Sequence, residues 1–101
     1  MIKEIEAGGG TVRVTGSLDA DDHAELRDAL ESALGSAPER LTVDLTGVEG
    51  LHSRPIAILC YAWVEAVKRH VEMEVVVSGG VERVLRDANL DQVFALRAAG
   101  G

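Results

Sequence analysis

The feature that most narrows what this chain can fold into is an alternation of two hydrophobic periods within 101 residues. Runs with an apolar side chain at every second position give way repeatedly to runs with one at every third or fourth. Ile2 to Glu6 alternates apolar and charged residues, and after Gly8-Gly9-Gly10 the stretch Thr11 to Thr15 does so through Val12 and Val14. Two half-buried strands joined by a glycine turn fit that pattern. Leu26, Ala29, Leu30, Ala33 and Leu34 then fall on one side of a helix. Asp22 with Glu25 reads as its capping box, and Gly35 with Pro38 as its end. Leu41 to Leu45 is a short β-rich run, and Ser53 reads as the N-cap of a second helix reaching about His70, with Pro55 in its first turn. Glu74 to Val77 is an apolar strand of the kind buried on both faces. Gly79-Gly80 leads into a third helix bearing Val81, Val84, Leu85 and Ala88, with Asn89 as a left-handed cap. Leu90-Asp91 then opens a last short helix through Val93, Phe94 and Leu96.

The order β-β-α-β-α-β-α-α predicts an α/β fold over residues 1–101: one domain, with a small mixed β-sheet of about four strands packed by about four helices. At 47% apolar residues one core is feasible, and there is no room for a second. Cys60 is the single cysteine, so neither an intramolecular disulfide nor a multi-cysteine zinc site can form. The net charge of -7 counts against nucleic acid and anionic lipid as partners and makes a basic or neutral protein surface the expected one. The longest apolar run, Ile56 to Val64, is nine residues, short of the ~20 that span a bilayer. No segment has the layout of a signal peptide, so the expected location is the cytosol.

Most catalytic templates are missing. The sequence holds no HExxH, CxxC or Walker pattern, and His23, His52 and His70 lack metal-ligand spacing. Gly79-Gly80 reads as a turn that needs a positive φ, although backbone amides at such a junction can also cradle a phosphate. Asp19, Asp21 and Asp22 suit the positive end of the first helix dipole; a divalent cation site is the sharper alternative for them. His52 beside Ser53 invites a base-and-nucleophile reading, but no GxSxG elbow surrounds the pair. A serine at a helix start can both cap the helix and accept a phosphate. Tyr61 and Trp63 lie in the uncharged half of the second helix, where core packing competes with exposure to a partner. Cys60 reads as a small buried hydrophobe.

Four segments carry a resemblance: Val14-Thr15-Gly16-Ser17-Leu18-Asp19; Leu41-Thr42-Val43-Asp44-Leu45-Thr46-Gly47-Val48; Leu51-His52-Ser53; and Val81-Glu82-Arg83-Val84-Leu85 through Asn89-Leu90-Asp91-Gln92-Val93-Phe94. In order and spacing they resemble the STAS domain family, that of the bacterial anti-sigma factor antagonists, over nearly the whole chain. The resemblance implies a small sheet backed by helices and a non-enzymatic protein-interaction role. In such antagonists a motif resembling Asp-Ser-(Ser or Thr)-Gly opens the second helix, and its first serine is phosphorylated by a partner anti-sigma kinase that brings ATP and Mg²⁺. Ser53 occupies the phosphoacceptor position. His52 stands where the family has Asp, Arg54 where it has a small hydroxyl residue, and Pro55 where it has Gly. The implied partner surface is His52, Ser53, Arg54, Pro55 and Ile56, with Asp19 and Asp44 approaching from neighbouring strand ends. No catalytic group, metal or cofactor of the domain's own is implied. Two alternatives stay open: a constitutive STAS binding subunit of an ABC-type lipid-transport or other signalling complex, and a small-molecule or nucleotide binder or weak hydrolase using His52 and Ser53.

Overall fold

A computed structural model describes residues 1–99. Strands β1 (Ile2–Gly8) and β2 (Thr11–Leu18) form the glycine-turned hairpin; α1 (His23–Gly35), β3 (Arg40–Leu51), α2 (Ser53–Lys68), β4 (Glu72–Val77), α3 (Gly79–Asp87) and β5 (Ala95–Ala98) follow. Single 3₁₀ turns at Ala20–Asp22 and Leu90–Gln92 precede α1 and β5. The hairpin turn holds because Gly9 and Gly10 take φ of 59° and 84°, values that a two-residue turn with the right twist demands.

The five strands lie in the order β1-β2-β3-β4-β5. β1 is antiparallel to β2, and each later neighbour is parallel. Because the parallel strands advance in one direction, right-handed crossovers put α1, α2 and α3 on the same face of the sheet. That face supplies the core. Val12, Val14, Leu18, Leu41, Val43, Leu45, Met73, Val75 and Val77 point into it and meet Leu26, Leu30 and Leu34 of α1, Leu59, Ala62 and Ala66 of α2, and Val81 and Leu85 of α3.

The other face is polar and carries cross-strand ion pairs: Arg13–Asp44 at 3.3 Å, Arg40–Glu72 at 3.1 Å and Arg97–Glu74 at 3.1 Å. Opposite charges facing each other across strands make such a surface stable in water. Val76 sits among them, flanked in register by Asp44 and Arg97 and buried although outside the main core cluster. β4 is therefore covered on both faces, as its apolar run predicts.

Three sequence expectations shift. The last short helix is a single 3₁₀ turn followed by β5, which pairs with Glu74–Val77 and satisfies the edge that β4 would otherwise leave open. The sheet thus has one strand more, and the fold one helix fewer, than expected. The first capping box lies one turn early: the Asp19 amide donates to the Asp22 carboxylate at 2.8 Å, and the Asp22 amide donates to the Asp19 carbonyl at 3.0 Å. Finally, β3 does not stop at Leu45. It runs on to Leu51, pairing with Thr15–Leu18 through a register shift. Asn89 is left-handed as expected, at φ 60°.

Candidate functional site

The overhang of β3 is what makes the site. Ser78 donates through its hydroxyl to the Thr46 carbonyl at 3.3 Å, so β4 ends level with Thr46 while β3 continues alongside β2 alone. Leu18 and Leu51 are register partners, and the His52 amide donates to the Leu18 carbonyl at 2.9 Å. The chain segments leading into α1 and α2 therefore leave the sheet side by side. Asp19 and His52 meet there, with His52 Nε2 at 3.4 Å from an Asp19 carboxylate oxygen.

Asp19 is also hydrogen-bonded by the amine of Met1. That bond holds its carboxyl below the ordinary range, against the opposing effect of desolvation, and nearby His52 adds to the lowering. The same contact raises the Met1 amine. Asp19 and Asp22 are thus engaged by backbone and amine groups at the start of α1.

Ser53 is one residue further into the helix than expected. His52, extended at φ -88° and ψ 166°, is the N-cap; no side chain closes this end, and Ser53 is the first helical residue. The His52 carbonyl accepts from Ile56 at 3.3 Å. In a first turn the leading amides have no intrahelical acceptor, and Pro55 lacks one altogether. The amides of Ser53 and Arg54 are thus the donors this helix end offers a ligand. His52, Ser53 and Arg54 are exposed, Ile56 is half-buried, and Pro55 is buried. Pro55 therefore stiffens the turn from inside and does not form part of the outer surface. No hydrogen bond joins His52 to Ser53 among the described residues; the ring nitrogen that finds a partner finds Asp19.

Asp44 does not join this group. It pairs in register with Arg13, five residues before Leu18 on β2, which at ~3.3 Å per residue places it about 17 Å away along the sheet. It also projects from the polar face. There burial pushes its carboxyl up, but hydrogen bonds from the Thr46 hydroxyl (2.6 Å) and amide (2.9 Å), with Arg13, outweigh that and hold it low. At the start of α3, Gly79 takes φ 56°, the conformation a positive-φ turn requires.

The uncharged half of α2 divides by face. Trp63 is half-buried and Tyr61 is 40% exposed, its hydroxyl donating to Glu31 of α1 at 3.1 Å. That bond, with burial adding to it, raises the Tyr61 hydroxyl. Cys60 is half-buried, and desolvation raises its thiol. No helix among the described residues is long and apolar enough to cross a membrane.

A five-stranded sheet with the described helices on one face matches known proteins. The family model described as "Mlab, STAS domain" matches residues 3–98. The chain belongs to the STAS domain family. An anti-sigma factor antagonist from Mycobacterium paratuberculosis is similar at 27% identity and a TM-score of 0.81, covering 96% of this chain and 84% of that one. A candidate anti-sigma factor antagonist from Thermotoga maritima shares the fold at 16% identity and a TM-score of 0.77, covering 93% and 84%. The anti-sigma factor antagonist SpoIIAA in its unphosphorylated form does so at 12% identity and a TM-score of 0.67, covering 100% and 89%. No protein of curated function matches the chain significantly.

Proposed function

We propose that this STAS domain binds a partner anti-sigma factor kinase through the surface at the start of α2, and that phosphorylation of Ser53 releases the partner. The observation that carries this reading is the exposed Ser53 at the first position of a 16-residue helix, between exposed His52 and Arg54. The likeness to anti-sigma factor antagonists supports it. The domain supplies the acceptor, and the kinase supplies ATP and Mg²⁺. The Ser53 oxygen attacks the γ-phosphorus, the bond to the ADP oxygen breaks, and the hydroxyl proton leaves to a base on the kinase.

The product adds roughly -1.5 to -2 charge at pH 7. The α2 dipole and the amides of Ser53 and Arg54 favour that charge where it forms. Arg54 has no carboxylate partner among the described residues. It is therefore free to fold onto the phosphate. A cation that served the partner's acidic groups is thereby withdrawn, while the phosphate repels those groups directly.

Incubation with the anti-sigma factor kinase encoded nearest to this protein, with Mg²⁺ and ATP, should raise the intact mass by one phosphate. Ser53→Ala should stay unmodified. Modification of Ser53→Ala at the full rate would overturn the assignment.

A second reading keeps the fold and removes the switch: a constitutive subunit of a lipid-transport ATPase. Pro55 favours it, because its missing amide leaves a phosphate on Ser53 one donor poorer. On that reading an ABC-type ATPase copurifies and Ser53→Asp scarcely changes binding.

A further inference from the structure

The Ser53 surface occupies only the first turn of α2. The rest of its outer side carries a second feature. Pro55, Leu59, Ala62 and Ala66 are its buried residues. At about 100° per residue, Ala57, Tyr61 and Val64 stand opposite them, with Cys60 and Val67 beside that line. Tyr61, Val64 and Val67 are 40%, 43% and 52% exposed, three of the five large exposed hydrophobics of the chain's described residues. No charged residue falls between Arg54 and Glu65, a span of roughly 15 Å along the axis. This stripe borders a groove of about 440 Å³ lined by Trp63, Val67, Val71, Met73, Val93 and Phe94 among others, with the Arg40–Glu72 pair at its rim.

The border of the stripe runs against the charge of the whole. Arg54 lies at one end and Lys68 and Arg69 at the other, while Arg27 of α1 stands one turn before Glu31, the residue that the Tyr61 hydroxyl reaches. The carboxylates along the stripe and its groove are each engaged: Glu31 by the Tyr61 hydroxyl, Glu65 by Lys68, Glu72 by Arg40 and Glu74 by Arg97. Arg27, Arg54 and Arg69 are exposed and have no carboxylate partner among the described residues. A chain of net charge -7 thus presents free guanidiniums around its most apolar exposed face.

We infer that this face of α2, from Ala57 to Val67 with the groove beside Trp63, docks an amphipathic helix of the partner protein whose apolar side is flanked by carboxylates. This rests on the reading of the Ser53 surface as a partner site, and it gives the partner's chemistry. The small side chains of Ala57 and Cys60 let a second helix approach closely, and the groove accepts one large apolar side chain from it. A second copy of this chain fits less well, since its matching face carries the same cations. An anionic bilayer is repelled by the net charge.

Trp63 is the only tryptophan, so its emission reports docking directly. Two synthetic helical peptides with the same leucine-alanine face, one flanked by glutamates and the other by lysines, are titrated into the full chain. The glutamate peptide should bind saturably, shift Trp63 emission to the blue and weaken as salt is added. The lysine peptide should bind at least tenfold more weakly. Val64→Glu should weaken the glutamate peptide at least tenfold while leaving the melting midpoint within a few degrees, because Val64 is 43% exposed; Arg69→Glu should weaken it too. Equal affinity of both peptides, no response to either, or indifference to Val64→Glu would each overturn the inference. So would a Val64-dependent dimer of the protein alone, or a larger Trp63 shift on anionic vesicles than on peptide. If kinase binding depends on Ser53→Asp but not on Val64→Glu, this inference fails and the Ser53 reading stands. The converse result removes the Ser53 switch and keeps the docking face.

Discussion

Truncating Leu59 to alanine tests the packing that aims α2, and with it everything attached to that helix. Leu59 is fully buried between the sheet and the neighbouring helices. The change removes about three carbon-sized groups at ~0.8 kcal/mol each. A residual cavity adds ~24 cal/mol per Å³ to the extent that the surroundings fail to close over it. Together these give about 3 to 4 kcal/mol, inside the ~2 to 5 kcal/mol range of such substitutions. For a domain of this size each kcal/mol moves the melting midpoint by ~4 to 8 °C, so a drop of roughly 12 to 32 °C is expected. Urea unfolding followed through Trp63 fluorescence measures it, with an unchanged denaturant slope showing that the variant unfolds between the same two states. Val64→Ala, on the opposite side of the same helix, should change stability by less than about 0.5 kcal/mol. A near-zero shift for Leu59→Ala, or an equal shift for both, would mean that the wrong face of α2 has been placed inside.

Other outcomes follow from particular contacts. Gly16 has φ 104°, and a Cβ there would lie 2.6 Å from the Met1 carbonyl oxygen and from the Lys3 nitrogen; Gly16→Ala should lose more than ~2 kcal/mol of stability in thermal melts. Asp44 has its carboxyl pKa lowered by folding from 3.8, so its contribution is present above that value and lost as pH falls below it. Asp44→Ala should therefore lose about 1 to 2 kcal/mol near neutral pH and should fall less steeply than wild type as pH is lowered from about 5 to about 3, as read by urea midpoints at each pH. Phe94 is 4% exposed, and Phe94→Ala should cost ~3 to 5 kcal/mol, with hydrogen exchange accelerated first in β5.

Period and punctuation alone made β1 to β4 and α1 to α3 legible, because each buries one side and the side-chain pattern records which. β5 was not legible. Ala95-Leu96-Arg97-Ala98 is composed of good helix formers, and it is a strand only because β4 offers a free edge beside it, a fact about the assembled sheet. The site suffered from one boundary. A third strand ending at Leu45 puts Asp44 at a strand end near Ser53. Gly47 and Gly50 continue β3 as partners of Thr15 and Ser17 and carry α2 well beyond Asp44. The meeting of Asp19 and His52 follows from the Leu18–Leu51 register, which nothing local in either segment encodes. Pro55 was correctly placed in the first turn, yet the direction of its ring depends on which side of α2 meets the core.

On the function proposed above, the start of α2 is a partner surface governed by charge at Ser53. Its most direct test is the affinity of the neighbouring anti-sigma factor kinase for wild type, Ser53→Ala and Ser53→Asp, measured by isothermal titration without ATP. Under that proposal Ser53→Ala binds like wild type and Ser53→Asp at least tenfold more weakly. Equal affinity for all three would contradict it.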